Sequence, residues 1–289
     1  MDSLKPLLNR AWEVRCENFP RQVEFVYPEK TLSVSVTGPV CELDCAHCGG
    51  HYLRQMKSIA EAKQALETGE KTSCLVSGGC SLAGKVPILA AKEDILRLKE
   101  KGRLNLHVGL VDREEAEEIG QLADVVSFDF VADEKTIAEV YGIECTAEAY
   151  INSYLLLRRY VPVVPHICIG LNGGAGSGEE RALSLLAELG AEAICFIVFI
   201  PTRNTRFAHK EPPPLARVAR ILAQARIQFP RTPLHLGCMR PRGRYRHKLD
   251  LLALKAGVNK IVMPTPAVRR FAHKERLEVV WGKECCVFG

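Results

Sequence analysis

Eight short apolar runs constrain this chain more than any other feature of it. They fall at 31–37, 73–77, 105–109, 125–129, 161–170, 193–200, 232–236 and 260–263. Stretches of helical periodicity lie between most of them, at 51–69, 88–101, 113–123, 133–140, 147–159, 179–189, 215–229 and 246–256. A strand and a helix repeating about every 30 residues build parallel βαβ units, since a parallel return needs a crossover of helix length. Eight units predict an α/β fold, a (β/α)8 barrel of the TIM type. A six-stranded open barrel with a C-terminal appendage is the alternative.

Nothing in the remainder of the 289 residues calls for a second domain. Residues 1–30 read as a lead-in, with a helix to about Pro20 that carries Leu4, Leu7, Leu8, Ala11 and Trp12 on one face. Residues 31–263 form the barrel and 264–289 an irregular tail. Hydrophobic residues at 47% and charged residues at 25% describe an ordinary globular chain. No apolar run nears the ~18–20 residues of a membrane span, and the first residues lack the apolar core of a signal peptide. A cytoplasmic protein is expected, with no membrane partner. Twelve cysteines would mean disulfides only in an exported chain with a small core; otherwise they mean metal or redox chemistry.

Three of those cysteines stand together in Cys41-Glu42-Leu43-Asp44-Cys45-Ala46-His47-Cys48, directly after the first apolar run. Gly38 and Pro39 break the strand, and Gly49 and Gly50 let the loop curl. In such barrels the site is built at the C-terminal ends of the strands, so the loop belongs to the catalytic rim. A structural zinc site closes its tetrahedron with four ligands, usually in two separated pairs. Three thiolates without a fourth nearby suit a [4Fe–4S] cluster that keeps one iron open. A three-cysteine zinc knuckle with a distant fourth ligand, or reduced cysteines that merely pack, are the competing readings.

The loop resembles the signature of the radical S-adenosylmethionine superfamily, in which the open iron is chelated by the amino and carboxylate groups of S-adenosyl-L-methionine. The resemblance implies that Cys41, Cys45 and Cys48 hold the cluster, and that His47, where an aromatic residue is usual, lies against adenine. It implies cofactor contacts at Ser77, Gly78 and Gly79, although Cys80 stands where a carboxylate is frequent. It also implies contacts from Asp129 to the ribose diol, from Gly170 in a glycine-rich segment, and from the backbone at Ile200. On their own terms Gly78-Gly79 is a plain turn, and Asp129 competes with a helix-capping role that Asp133 can fill. The segment after Gly170 matches neither phosphate-loop pattern.

The other cysteines divide by position. Cys74, Cys168 and Cys195 lie inside strands and read as core, and Cys145 has no partner nearby. Cys238 follows the seventh run at the rim, and Cys285 and Cys286 lie in the tail; with Cys16 they are candidates for a second cluster. A reduced, untidy tail is the other view. Residues 240–248 are a dense basic patch whose Arg240 and Arg242 are candidates for binding a substrate carboxylate or an acidic carrier protein. A solvated loop competes with that reading. With no aromatic platform beside it, nucleic acid is not the expected partner.

Beyond the cysteine loop, the segments 49–56, 77–80, 237–241 and 256–259 are similar to the biotin synthase-like branch of the superfamily. Biotin synthase itself holds a sulfur-donating cluster on cysteines from several strands plus an arginine. Here the corresponding inward positions include Asn105 and His235, and only Cys74 looks retained, which argues against biotin synthase. The chain is more similar to a subunit of the split, two-component lipoyl synthases. That resemblance implies a 5′-deoxyadenosyl radical and sulfur insertion into an octanoyl chain on a carrier protein or lipoyl domain. It further implies a second cluster as sulfur donor, a paired radical subunit, and an electron donor such as ferredoxin or flavodoxin. The alternatives are a one-cluster radical enzyme of mutase or methyltransferase-like type, a non-catalytic Fe–S or zinc-binding partner protein, and a metal-free barrel aldolase.

Overall fold

The computed structural model describes residues 4–288. The strands are β1 (Gln22–Val26), β2 (Thr31–Ser35), β3 (Ser73–Ser77), β4 (Arg103–His107), β5 (Val125–Asp129), β6 (Val163–Ile169), β7 (Ile194–Val198), β8 (Leu234–Leu236), β9 (Lys260–Val262) and β10 (Glu278–Gly282). The helices are α1 (Leu4–Asn18), α2 (Ile59–Glu67), α3 (Lys92–Lys99), α4 (Arg113–Leu122), α5 (Glu134–Thr136), α6 (Ala147–Leu157), α7 (Glu179–Leu189), α8 (Leu215–Gln228), α9 (Arg244–Lys255) and α10 (Pro266–Lys274). Every ladder is parallel, and the strands run in the order β10-β1-β9-β8-β7-β6-β5-β4-β3-β2.

The α/β barrel architecture expected from the alternation is present, with the eight expected strands appearing as β2 to β9. Two strands are additional. β1 lies in the expected lead-in and β10 in the expected irregular tail, where α10 is also found. β10 is an edge strand in which Glu278, Val280 and Trp281 are exposed, so no buried alternation marks it in the sequence. The first three residues of the expected N-terminal helix, and Gly289, lie outside the described residues.

The sheet has no ladder between its edges, β2 and β10, yet the seam is bridged. Residues 27–30 join β1 directly to β2, and beyond β10 the tail crosses beneath β2. There Lys30 N–H donates to the Lys283 carbonyl at 2.8 Å, and Cys285 N–H donates to Thr31 Oγ1 at 2.7 Å. Helices begin where local chemistry caps them. Ser58 with Glu61 and Asp112 with Glu115 form capping boxes on α2 and α4, and Pro266 opens α10.

The main core fills the space between the outer face of the sheet and the helices, and includes Cys74 beside Val34, Val76 and Leu104. A second, smaller cluster closes the inside of the barrel at its lower, N-terminal end: Val26, Val125, Val164, Cys195, Val262, Cys286 and Phe288. Neighbouring residues in register on parallel strands face the same side. One register layer therefore runs from Asp129 through His166, Cys195, His235 and Lys260 to Glu24. That layer of the barrel interior is thus polar and sulfur-bearing, set against the valines of the floor.

Candidate active site at the barrel mouth

The cysteine loop leaves the top of β2 and is pinned from three sides. The Cys80 carbonyl, just past β3, accepts from Glu42 N–H at 2.9 Å and Leu43 N–H at 3.4 Å. Ala46 N–H donates to the Val140 carbonyl at 2.7 Å, and the Ala46 carbonyl accepts from Phe207 N–H at 2.9 Å. Arg206 Nη2 adds a 3.0 Å bond to the Asp44 carbonyl. Within the loop the Cys45 carbonyl takes both Cys48 N–H (3.1 Å) and Gly49 N–H (3.0 Å), a tight turn that carries Cys45 and Cys48 together. A hydrogen bond from Cys45, aided by His47, favours the thiolate at Cys48 against the cost of its burial.

Three features of this loop fit a thiolate-ligated cluster with a nucleoside cofactor. The donor set is three thiols at one mouth, reduced and unpaired. A buried ring nitrogen, His47 Nδ1, has no hydrogen-bond partner, while its ring sits edge-on to Tyr141 at 5.8 Å. Gly79 faces the loop so closely that a Cβ there would lie 2.5 Å from Cys41 Cα and 2.7 Å from Cys41 Cβ, and closer still to the Val40 carbonyl oxygen. Residues of this kind would hold a [4Fe–4S] cluster on Cys41, Cys45 and Cys48.

The other expected contacts divide. Ser77 lies at the mouth and donates to the His107 carbonyl at 3.0 Å; its oxygen is 3.4 Å from His107 Nδ1. His107 Nε2 in turn lies 3.3 Å from Asp129 Oδ2, so Ser77, His107 and Asp129 form one chain along the rim. Burial opposes ionisation of Asp129, but His107, with His166 and His47 farther off, holds its carboxyl near about 2. Asp133 caps α5 by accepting from Thr136 N–H at 2.8 Å, which leaves Asp129 free of that task. Gly78 and Gly79 carry Thr37 and the loop against β3, and Thr37 Oγ1 accepts from Gly79 N–H at 2.7 Å.

Gly170 has φ +75°, and a Cβ there would press on Pro213 at 2.8 Å. Its N–H is taken by Glu179 Oε1 at 2.7 Å, so the glycine-rich segment is wrapped around one buried carboxylate that also accepts from Ser177 N–H (2.9 Å) and Arg217 (2.9 Å). Ile200 follows β7, and its carbonyl accepts from Thr202 Oγ1 at 3.1 Å; Tyr52 bonds the same hydroxyl at 2.9 Å.

Arg240 is a correction. It is fully buried and spends its donors internally, on Asp250 (3.0 Å) and on the carbonyls of Gly237 (2.6 Å) and Val262 (2.7 Å). Buried and turned inward, it faces no substrate; Arg240 clamps β8, β9 and α9 together. Arg242 is exposed beside the mouth.

Of the candidates for a second cluster only Cys16 is set apart; Cys238 lies near enough to Cys285 and Cys286 for their charges to be felt. Cys16 is exposed on α1, which packs outside the sheet on α8, while Cys285 and Cys286 enter the barrel from below. Cys238 is exposed at the rim. Cys74, taken for an inward position, faces the helices, because its register partner Leu104 does so while Asn105 points inside. Cys195, taken for core, faces the lumen in register with His166 and His235, its sulfur 3.9 Å from that of Cys286. The residues that sequence reasoning missed are His107, Glu179, His166 and Cys195. Strand parity carried the signal for the two histidines, each two residues from a polar neighbour already singled out or present (Asn105, Cys168).

Among the described residues no helix is long and apolar enough to cross a membrane. No protein-family model matches the chain. It is 28% identical over 272 residues to the biotin synthase of Neorickettsia sennetsu, covering 88% of this chain and 81% of that one. In fold it is similar to methylornithine synthase (TM-score 0.69, 14% identity, covering 96% of this chain and 90% of the other). It is similar also to the FeFe-hydrogenase maturase HydG of Carboxydothermus hydrogenoformans (TM-score 0.68, 16% identity, covering 90% of this chain and 63% of the other).

Proposed function

We propose that this chain is a radical S-adenosylmethionine enzyme of the biotin synthase-like kind that inserts sulfur into an unactivated C–H bond of an octanoyl group, as one component of a two-part lipoyl synthase; its similarity to a biotin synthase supports the reading. The observation that carries the radical step is the pinned loop that presents Cys41, Cys45 and Cys48 at the mouth beside the unpartnered His47 Nδ1. Bound there, the cluster and S-adenosyl-L-methionine would supply the 5′-deoxyadenosyl radical that removes the hydrogen. Asp129, held ionised by His107, can accept from a ribose diol, and His47 offers its ring and free nitrogen to the base. Tyr52 and Thr202 tie the 51–55 and 199–208 segments together, and Phe207 N–H fastens the second of them to the cysteine loop.

Sulfur insertion needs a second source of sulfur, and the thiols inside the barrel support that reading: Cys195, Cys285 and Cys286 lie below the mouth, with Asn105 Nδ2 donating to Cys285 Sγ at 3.5 Å. Exposed Arg242 at the rim suits the acidic surface of a carrier domain. A paired radical subunit and a ferredoxin- or flavodoxin-like donor complete the proposal.

The test is anaerobic incubation of the reconstituted protein with S-adenosyl-L-methionine, dithionite and an octanoyl-lysine peptide, with and without a paired component, read by mass spectrometry. The expected result is cofactor cleavage and a peptide heavier by sulfur, both abolished in the Cys41→Ala/Cys45→Ala/Cys48→Ala variant. Cofactor cleavage with no sulfur added under either condition rejects the lipoyl reading. Cleavage that survives in the triple variant rejects the radical assignment altogether.

A further inference from the structure

The floor of the barrel brings a histidine to two of the thiols already invoked for sulfur insertion. His166, Cys195 and Cys286 place one donor atom each so that all three lie within 4.8 Å of one another. Two come from adjacent strands in direct register, and the third is delivered by the tail. We propose that His166, Cys195 and Cys286 bind a single thiophilic metal atom, zinc or iron, in a tetrahedral site whose fourth position faces the barrel lumen.

The spacing fits two thiolates on one metal atom rather than on two corners of a cubane. Two thiolates on one tetrahedral metal, with metal–sulfur bonds of about 2.3 Å, stand about 3.8 Å apart. The Cys195 and Cys286 sulfurs are 3.9 Å apart. In a cubane each iron takes one thiolate, which spreads the sulfurs farther than this. His166 Nδ1 lies 3.0 Å from the Val164 carbonyl, a bond that fixes the proton on Nδ1 and leaves Nε2 as the lone-pair donor. Around the three donors lies the apolar shell of Val26, Val125, Val164, Val262 and Phe288, which would keep a bound ion from water. Beside them His235 Nδ1 is buried with no partner.

The tail is built to deliver Cys286. Glu284 pairs with Arg103 at 3.0 Å and accepts from Thr72 at 2.7 Å, Cys285 N–H donates to Thr31, and buried Lys260 donates to the Phe288 carbonyl at 2.7 Å. Arg103 also lies over the Phe288 ring at 4.2 Å. Metal binding would therefore lock β10 and the segment after it onto the bottom of the barrel, a coupling of ligation to folding.

The site is tested without the mouth cluster, so that its failure and that of the radical reading are distinguishable. In the Cys41→Ala/Cys45→Ala/Cys48→Ala background, the anaerobic apo protein is titrated with Co(II) alone. The expected result is one equivalent bound with the intense visible absorption of tetrahedral cobalt and the ultraviolet band of cobalt–thiolate charge transfer. Cys195→Ser, Cys286→Ser and His166→Ala should each weaken binding at least tenfold, while Cys74→Ser, an equally buried thiol on the outer face, should leave it unchanged. That control separates loss of the site from loss of the fold. Metal and sulfide analysis of the same background as isolated should find one zinc or iron per chain and no sulfide; iron with sulfide would mean a cluster and would overturn the single-metal site. Absence of bound cobalt, or binding indifferent to all three substitutions, overturns the proposal.

Discussion

Gly79→Ala is the sharpest probe of how the mouth is held. Gly79 is not among the residues with positive φ, so alanine there is compatible with the backbone, and the effect of the change is a matter of space. A methyl at that position would lie 2.5 Å from Cys41 Cα and 2.7 Å from Cys41 Cβ. Carbon atoms in ordinary contact stand about 3.5–4.0 Å apart, so the loop must retreat by about 1 Å or more. The obstacle is the backbone at Val40 and Cys41, not the end of a flexible side chain, so it moves as a unit. Overpacking of this kind costs about 1–3 kcal/mol of stability, which a barrel of this size survives. Function should suffer far more, because a misplacement of ~1 Å at a reacting centre can cost about 100-fold in rate. Gly78→Ala is the internal control: its methyl would meet the ends of Val36 and Thr37 at 3.0–3.2 Å, which can give way. The assay is single-turnover cleavage of S-adenosyl-L-methionine, with iron content and thermal melting measured alongside. The order expected is wild type close to Gly78→Ala and both well above Gly79→Ala. Wild-type iron and cleavage within about threefold in Gly79→Ala would refute the claim that Gly79 sets the position of Cys41.

Three further perturbations test other parts of the structure. Asp250→Ala leaves the fully buried Arg240 guanidinium unpaired and should destabilise the protein by about 3–5 kcal/mol in urea unfolding, whereas exposed Arg242→Ala should change stability by less than about 0.5 kcal/mol; equal effects would return Arg240 to the list of substrate contacts. Asp129→Asn removes the charged acceptor at the rim and should weaken binding of S-adenosyl-L-methionine to the reconstituted protein by about 10–100-fold, equivalent to about 1.5–3 kcal/mol for a hydrogen bond to a charged group; unchanged affinity by equilibrium dialysis would remove Asp129 from the cofactor site. Glu179→Ala strands Gly170 N–H, Ser177 N–H and Arg217, and should cost about 2–4 kcal/mol while exposing the 170–178 segment to proteolysis first; a stability within about 0.5 kcal/mol of wild type would show that the carboxylate does not organise that loop.

The sequence made the barrel legible because parallel strands buried on both faces are written as near-continuous apolar runs, and crossovers of helix length leave their own period. β5 and α7 were readable to the residue for this reason. The Cys41–Cys48 loop was readable because its ligands are local: one turn and eight residues contain them all. What failed to show were features made by distance in the chain. Arg240 sits in a run of exposed cations, and only the fold reveals that it turns inward to Asp250 while Arg242 does not. Cys74 and Cys195 looked alike as strand cysteines, yet opposite parity sends one to the helices and the other to the lumen. Parity could have been fixed from the sequence, since Asn105 and His107, Ser127 and Asp129, and His166 and Cys168 place polar or sulfur-bearing residues at every second position, and such residues cannot all face an aliphatic helix layer. Once those set the inward face on β4, β5 and β6, the register of β7 places Cys195 among them. No rule of local pattern gives its partner, because Cys286 lies 91 residues away on a tail whose edge strand hides its alternation. The cysteines that a sequence assigns with most assurance are those that share a loop. Those that meet only after the barrel has closed depend on strand parity first, and on the tail being docked second.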